Sequence, residues 1–268
     1  MVVRAVQLTA FGPESVQARN DCVAVEAPLE VRLNGEPFAV IMRTPGDDEA
    51  LALGFLLSES VIEGADDVAE TASWPDDAAL GNRINVVLTP EATNRATAAL
   101  DGRRRVAMSS ACGLCGRVTI DSLRREGASI PIRWSVPAAI LHSLPSSLRV
   151  TQRGFDETGG VHAAGLFGRD GALVISAEDV GRHNAVDKVI GRMLREGRLP
   201  LEDMLLAVSG RVSFEIVQKA LIAGIPLVAA VSAPSSLAIE CAEIGGLTLA
   251  AFVRDGRCNV YTHPERIE

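Results

Sequence analysis

Cys112 and Cys115 stand three positions apart in Ser109-Ser110-Ala111-Cys112-Gly113-Leu114-Cys115-Gly116, among small, flexible residues that expose sulfur. The spacing admits three chemistries: metal chelation, dithiol redox, and carriage of a sulfur atom. Closed zinc chelation needs two further ligands at short spacing. No second CxxC and no HxxxH occurs, although catalytic zinc with His162 as a third ligand stays open. Thioredoxin-like chemistry sets the pair at a strand-to-helix junction of a βαβ unit, whereas here it follows a basic run, Arg103-Arg104-Arg105. Nearby arginines lower a thiol pKa from its free value of about 8.5 and so favour a nucleophilic thiolate. Spacing alone does not separate the three.

Other clusters of reactive side chains lie downstream. Ser209-Gly210-Arg211 and Ser232-Ala233-Pro234-Ser235-Ser236 each follow a short aliphatic run and lead into a helical pattern. Ligands of α/β sheets bind beyond the carboxyl ends of strands, and helix N-terminal amides suit phosphate. Ordinary serine capping explains the same residues equally well, and Arg211, a bidentate anion ligand, tilts the balance slightly towards phosphate. Glu178-Asp179-Val180-Gly181-Arg182-His183-Asn184 sits between a strand and a helix; Asp179 or Asn184 as a cap with solvated neighbours is the competing explanation. Thr158-Gly159-Gly160-Val161-His162-Ala163-Ala164 sets a histidine among residues small enough for close backbone approach. The arginine run is either a solvated face or a lure for an anion.

These groups need a scaffold. Alternation around Asn34-Gly35 predicts a β-hairpin with Leu29, Val31 and Leu33 on one arm and Phe38, Val40 and Met42 on the other. Asp47-Asp48 then caps a helix from Glu49 to Ser58, followed by a strand from Asn85 to Thr89 and a helix from Glu91 to Leu100. Pro131, Pro137 and Pro145 mark a crossing between domains. Beyond it, strands at 173–176, 205–209, 226–231, 247–253 and 259–262 alternate with helices at 184–195, 214–223 and 237–244, the pattern of a parallel or mixed sheet covered on both faces. The fold class is α/β within an α+β whole: a smaller N-terminal α+β domain over 1–105, the CxxC loop and its connection over 106–130, and an α/β domain over 131–268.

Composition narrows the function. Hydrophobic residues are 47% and aromatics 4%, so the core is aliphatic. A net charge of -8 argues against wholesale nucleic-acid binding, so an anionic ligand needs a local cluster of cations. No apolar run approaches the roughly 18 residues of a membrane span, and Met1 to Gly12 lacks the features of a secretory signal. A cytoplasmic protein with reduced thiols is expected, with Cys241 and Cys258 as buried small hydrophobes.

Five ordered segments carry a resemblance: Cys112-Gly113-Leu114-Cys115-Gly116, Gly160-Val161-His162-Ala163-Ala164, Glu178 through Lys188, Ser232 through Ala238, and Val260-Tyr261-Thr262-His263-Pro264. Together they resemble the FdhD family, sulfurtransferase accessory proteins of formate dehydrogenase. The resemblance implies that a cysteine desulfurase hands a persulfide sulfur to Cys112, with Cys115 as its partner in transfer. The sulfur then passes to the molybdenum of a bis-molybdopterin guanine dinucleotide cofactor, bound as a client on behalf of formate dehydrogenase. The family's cofactor-contacting loop matches Phe252-Val253-Arg254-Asp255-Gly256-Arg257, and Ser209, Gly210, Arg211, Ser232, Ser235 and His183 are further candidates for holding the nucleotide. Also implied are a cytidine-deaminase-like larger domain and a homodimer; no resident metal is expected. Zinc deaminases use H-x-E and a later P-C-x-x-C, whereas His162 is followed by Ala163-Ala164 and the CxxC comes earlier. The rivals are a non-catalytic cofactor-binding chaperone with structural cysteines, and a zinc-dependent hydrolase using Cys112, Cys115 and His162.

Overall fold

The computed structural model describes residues 3–13, 15–73, 82–101 and 129–268. Strands β1 (Val3–Phe11) and β2 (Val16–Ala24) pair antiparallel as a separate two-stranded sheet. The predicted hairpin comes next as β3 (Ala27–Leu33) and β4 (Glu36–Arg43). Asn34 and Gly35 both take positive φ, 50° and 87°, as a two-residue turn matched to strand twist requires. Leu29, Val31 and Leu33 are buried as expected. On β4 the inward face differs from the expectation: Ile41 and Arg43 are buried, whereas Val40 and Met42 are exposed. A register shift between Val31 and Arg32 inserts one extra residue into β4, which leaves Phe38 packed on the core and flips the phase of the later β4 residues.

Helix α1 (Asp48–Ser58), β5 (Val68–Ser73), β6 (Arg83–Leu88) and α2 (Pro90–Asp101) complete a four-stranded sheet of order β4-β3-β6-β5. Asp47 does not cap α1 through its side chain: it sits in the left-handed region at φ 56° and pairs with Arg192. Asp48 instead takes both Nε and Nη2 of the buried Arg43, each at 2.8 Å.

The second half contains α3 (Ala138–Arg149), α4 (Arg153–Thr158), β7 (His162–Gly168), β8 (Leu173–Asp179), α5 (Arg182–Arg195), β9 (Met204–Val208), α6 (Phe214–Ile222), β10 (Leu227–Ala230), α7 (Ser236–Ile244), β11 (Thr248–Arg254) and β12 (Arg257–Thr262). Its six-stranded sheet has the order β12-β11-β10-β9-β7-β8. Three central parallel strands, β9 to β11, are flanked by antiparallel neighbours, so the fold is mixed α+β. Alternation divides the strand residues cleanly. Leu205, Ala207, Leu227, Ala229 and Ala250 pack under α3. Leu206, Val208, Val228, Ala230, Leu249 and Ala251 belong to the other layer, with α5, α6 and α7.

Helix α3 occupies the proline-marked stretch expected to be a crossing. Pro145 lies inside it, at a cost of about 3 kcal/mol in a helix interior. Leu141, Leu144 and Leu148 are each buried against the sheet, and full burial of such a side chain stabilises by about 1.5–3 kcal/mol, which outweighs the proline. Cys241 and Cys258 are half-buried, each packed against the edge of one apolar layer, and burial pushes the Cys258 thiol up. Among the described residues no helix is long and apolar enough to cross a membrane.

The two halves meet through α1 and α5. A Cβ at Gly54 would lie 2.0 Å from the carbonyl oxygen of Asp187, and one at Gly191 would lie 1.8 Å from that of Ala50. One aliphatic cluster runs from Leu29 and Val31 through α1 and α5 to Leu206 and Val228. Since the obstacle on both sides is backbone, neither helix can give way by a rotamer change. We expect Gly54→Ala and Gly191→Ala each to lower stability by about 3 kcal/mol or more, the upper end of overpacking costs, measured by urea unfolding. Wild-type stability in both variants would contradict this packing.

Candidate functional site

The carboxyl ends of β9, β10 and β11 and the amino end of β7 lie along one edge of the large sheet. A cleft of about 670 Å³ opens there, lined by His142 and Arg149 of α3, Gln152 before α4, His162 and Ser209 at the strand ends, and Arg254 and Asp255. The sequence-predicted residues of this edge are thus brought together, but their side chains are employed differently. Ser209 Oγ accepts the Ala163 N–H at 2.9 Å and ties β9 to β7. Ser235 Oγ accepts the Ala238 N–H at 3.2 Å and caps α7, so ordinary capping accounts for it. Ser232 gives its carbonyl oxygen to the Phe252 N–H.

Arg254-Asp255-Gly256-Arg257 is the turn between β11 and β12, with Asp255 and Gly256 at φ 52° and 70°. Arg254 and Arg257 are exposed partners across that turn. Val253 is buried under α3, and Phe252, at φ 53° beside a bulge, is half-buried against the other layer. Cys112, Cys115 and Arg103 to Arg105 lie outside the described residues.

The segment from Glu178 to Lys188 is mainly internal, which corrects the view that its polar groups are solvated. Asp179 is fully buried. Its carboxylate accepts the N–H groups of Thr44 (3.1 Å) and Gly181 (2.8 Å) and Nδ2 of Asn184 (2.9 Å), and pairs with Lys188 at 2.7 Å. Glu178 accepts the N–H groups of Gly154 and Phe155 at the start of α4. Asp187 receives Lys219 Nζ at 2.7 and 2.8 Å and Ser58 Oγ at 2.9 Å. These bonds satisfy charges that burial would otherwise make prohibitive.

Arg182 and His183 are the exceptions. Gly210 is buried, and a Cβ there would lie 3.2 Å from His162 Nδ1 and 3.7 Å from Arg182 Cδ, so these three residues group around its bare backbone. Arg211 is exposed one position on. Arg182 Nε is buried with no hydrogen-bond partner among the described residues. Burial pushes the His162 pKa down, and Arg182 and Arg211 push it further. His183 Nε2 lies 2.9 Å from Ser213 Oγ and 3.7 Å from Glu215. Burial, then Arg182 and Lys219, hold its pKa down at about 4 against the opposing pull of Glu215. At neutral pH both rings are uncharged hydrogen-bonding groups in a field made by arginines. Nothing in the sequence singles Arg182 out within its segment, and the proline-marked stretch conceals α3, which carries His142 and Arg149, and with it Gln152, which stands at the N-cap of α4.

The depressed His183 pKa links stability to pH. Below about 6.5 the unfolded chain binds a proton that the folded one refuses until about pH 4, so stability falls on acidification through that window, by up to about 3 kcal/mol. We expect the urea midpoint to drop between pH 6.5 and 4, and to drop less steeply in His183→Gln; identical pH profiles would remove His183 from this role.

The chain matches the sequence model of the FdhD/NarQ family over residues 24–268. It is 48% identical over 262 residues to the Sulfur carrier protein FdhD of Streptomyces avermitilis, covering 94% of this chain and 91% of that one. It is 49% identical over 258 residues to the protein of the same name from Anaeromyxobacter dehalogenans, covering 93% and 90%. A crystal structure from Desulfotalea psychrophila, described as a formate dehydrogenase accessory protein, superposes with a TM-score of 0.79 at 27% identity over the whole of both chains. With a family match over nearly its full length and relatives almost half identical to it, the chain belongs to the FdhD/NarQ family.

Proposed function

We propose that this protein is a cytoplasmic, homodimeric sulfur carrier that takes persulfide sulfur from a cysteine desulfurase and passes it to the molybdenum cofactor of a formate dehydrogenase. The observation that carries the proposal is near-half identity, over nine-tenths of both chains, to proteins named sulfur carriers. The described site supports the client half of it. In a chain of net charge -8, Arg182, Arg211 and Arg254 gather around His162 and the cleft at one sheet end, where a dinucleotide's phosphates would find compensation.

The chemistry is that of thiol exchange. The Cys112 thiolate attacks the outer sulfur of the donor persulfide, a sulfur–sulfur bond breaks, and the desulfurase thiolate leaves. The Cys115 thiolate then attacks Sγ of Cys112 and expels the outer sulfur as sulfide, leaving a Cys112–Cys115 disulfide. The two thiols supply the two electrons that reduce the transferred sulfur, and the sulfide becomes a ligand of the client's molybdenum. A cellular thiol reductant restores the dithiol.

Incubation with a cysteine desulfurase and cysteine should add sulfur to the intact protein, read by mass spectrometry. The adduct should be absent from Cys112→Ala, and Cys112→Ala should fail to restore formate dehydrogenase activity. A wild-type protein that gains no sulfur would end the carrier proposal.

A further inference from the structure

The β1–β2 ribbon is paired over nine residues on each strand, yet it buries none of them fully. The family match begins at residue 24, so all but the ribbon's last residue lies before the part that family membership accounts for. A two-stranded ribbon is marginal in water unless something packs on it. Residues directly opposite each other on an antiparallel pair share a face, and successive pairs alternate between faces. The register therefore sorts the ribbon into two surfaces.

One surface carries the charge. Arg4 stands opposite Val23, Val6 opposite Asp21 and Leu8 opposite Arg19, and Val6, Leu8 and Ala10 are half-buried there. The other surface has five pairs and no charged residue, from Phe11 and Val16 at the tip to Val3 and Ala24 at the base. Only the base pair is half-buried; every other residue of this face is exposed, Phe11 at 80% and Val16 at 61%. Charged residues make up 22% of the chain and concentrate on protein surfaces. An exposed face with none of them marks a surface that a partner covers.

The order along that face is nearly the same read from either end. Gln7 and Asn20 form the central pair. The small Ala5 and Cys22 lie one step towards the base, the small Thr9 and Ala18 one step towards the tip, and apolar pairs close both ends. Such a surface complements itself about a two-fold axis through its centre. Two ribbons stacked tip to base would set apolar ends on apolar ends and small residues on small ones. The amides of Gln7 and Asn20 would meet at the axis, where polar groups fix register. Charge points the same way: two molecules of net charge -8 repel each other and meet most easily where neither carries charge.

We infer that the uncharged face of the β1–β2 ribbon packs on the same face of a second copy of this chain. This rests on the homodimer of the proposed function and names its contact. A nine-residue strand is about 30 Å long and a ribbon of two about 10 Å wide. That gives roughly 300 Å² per copy, against about 800 Å² in a standard interface, so the dimer is weak and concentration-dependent.

Sedimentation equilibrium of the full chain tests it with two variants at adjacent, exposed positions. Ala18→Glu puts a carboxylate on the uncharged face, and Gln17→Glu puts the same charge on the opposite one. Wild-type protein should dimerise reversibly. Ala18→Glu should raise the dimer dissociation constant by roughly tenfold or more, since it buries an unpaired charge, and Gln17→Glu should leave it unchanged. A monomeric wild type, or equal weakening by both variants, overturns the inference. A dimer unaffected by Ala18→Glu also overturns it but leaves the homodimer reading intact. Sulfur loading, read by mass spectrometry on the same samples, tests the carrier reading independently.

Discussion

The backbone contact between α1 and α5 at Gly54 and Gly191 fixes where α5 lies, and with it the site. Helices that approach this closely leave room only for hydrogen on the facing Cα atoms. Ser58 can therefore reach the Asp187 carboxylate, and Asp187 in turn holds Lys219 on α6. Before the start of α1, Thr44, which follows β4, is gripped by Asp179, Lys188 and the Val180 N–H. Removing one partner of such a buried pair typically costs about 3–5 kcal/mol. That cost holds the start of α5 against the end of β9, where Gly210 and His162 stand.

The same geometry explains how an acidic protein presents a cationic surface. Carboxylates near α5 are consumed internally: Asp179 by Lys188, Asp187 by Lys219, Glu178 by backbone amides of α4, Asp47 by Arg192. Among the described residues Arg182, Arg211 and Arg254 make no ion pair. The two histidines respond by staying neutral, as burial beside arginines dictates. A cluster of this kind favours a phosphorylated ligand and needs no excess of basic residues in the chain.

Much of the second half was legible because its strands are short aliphatic runs bounded by glycine, and Gly197, Gly224 and Gly246 do end helices or their turns with positive φ. The features that escaped have identifiable causes. The β1–β2 ribbon buries no residue fully; Val6, Leu8 and Ala10 alternate with exposed neighbours on β1, but β2 is exposed almost throughout and carries no matching apolar pattern. The prolines of α3 hid a helix whose leucine spacing was sound. A single bulge turned β4 over after Phe38. The Glu178–Lys188 segment was legible as important, but its density of charge belongs mostly to buried ties, and only three-dimensional contacts separate Arg182 from its satisfied neighbours. The ends of β9 and β10 looked equivalent in sequence, and the difference between them lies in where Ser213 and Ser235 direct their hydroxyls.

The central claim is that the backbone contact between α1 and α5 fixes where α5 begins. Hydrogen–deuterium exchange of the wild-type chain and of Gly54→Ala reads the amides there directly. The account requires faster exchange at residues 181–185 in the variant. Exchange at 181–185 equal to that of the wild type would contradict it.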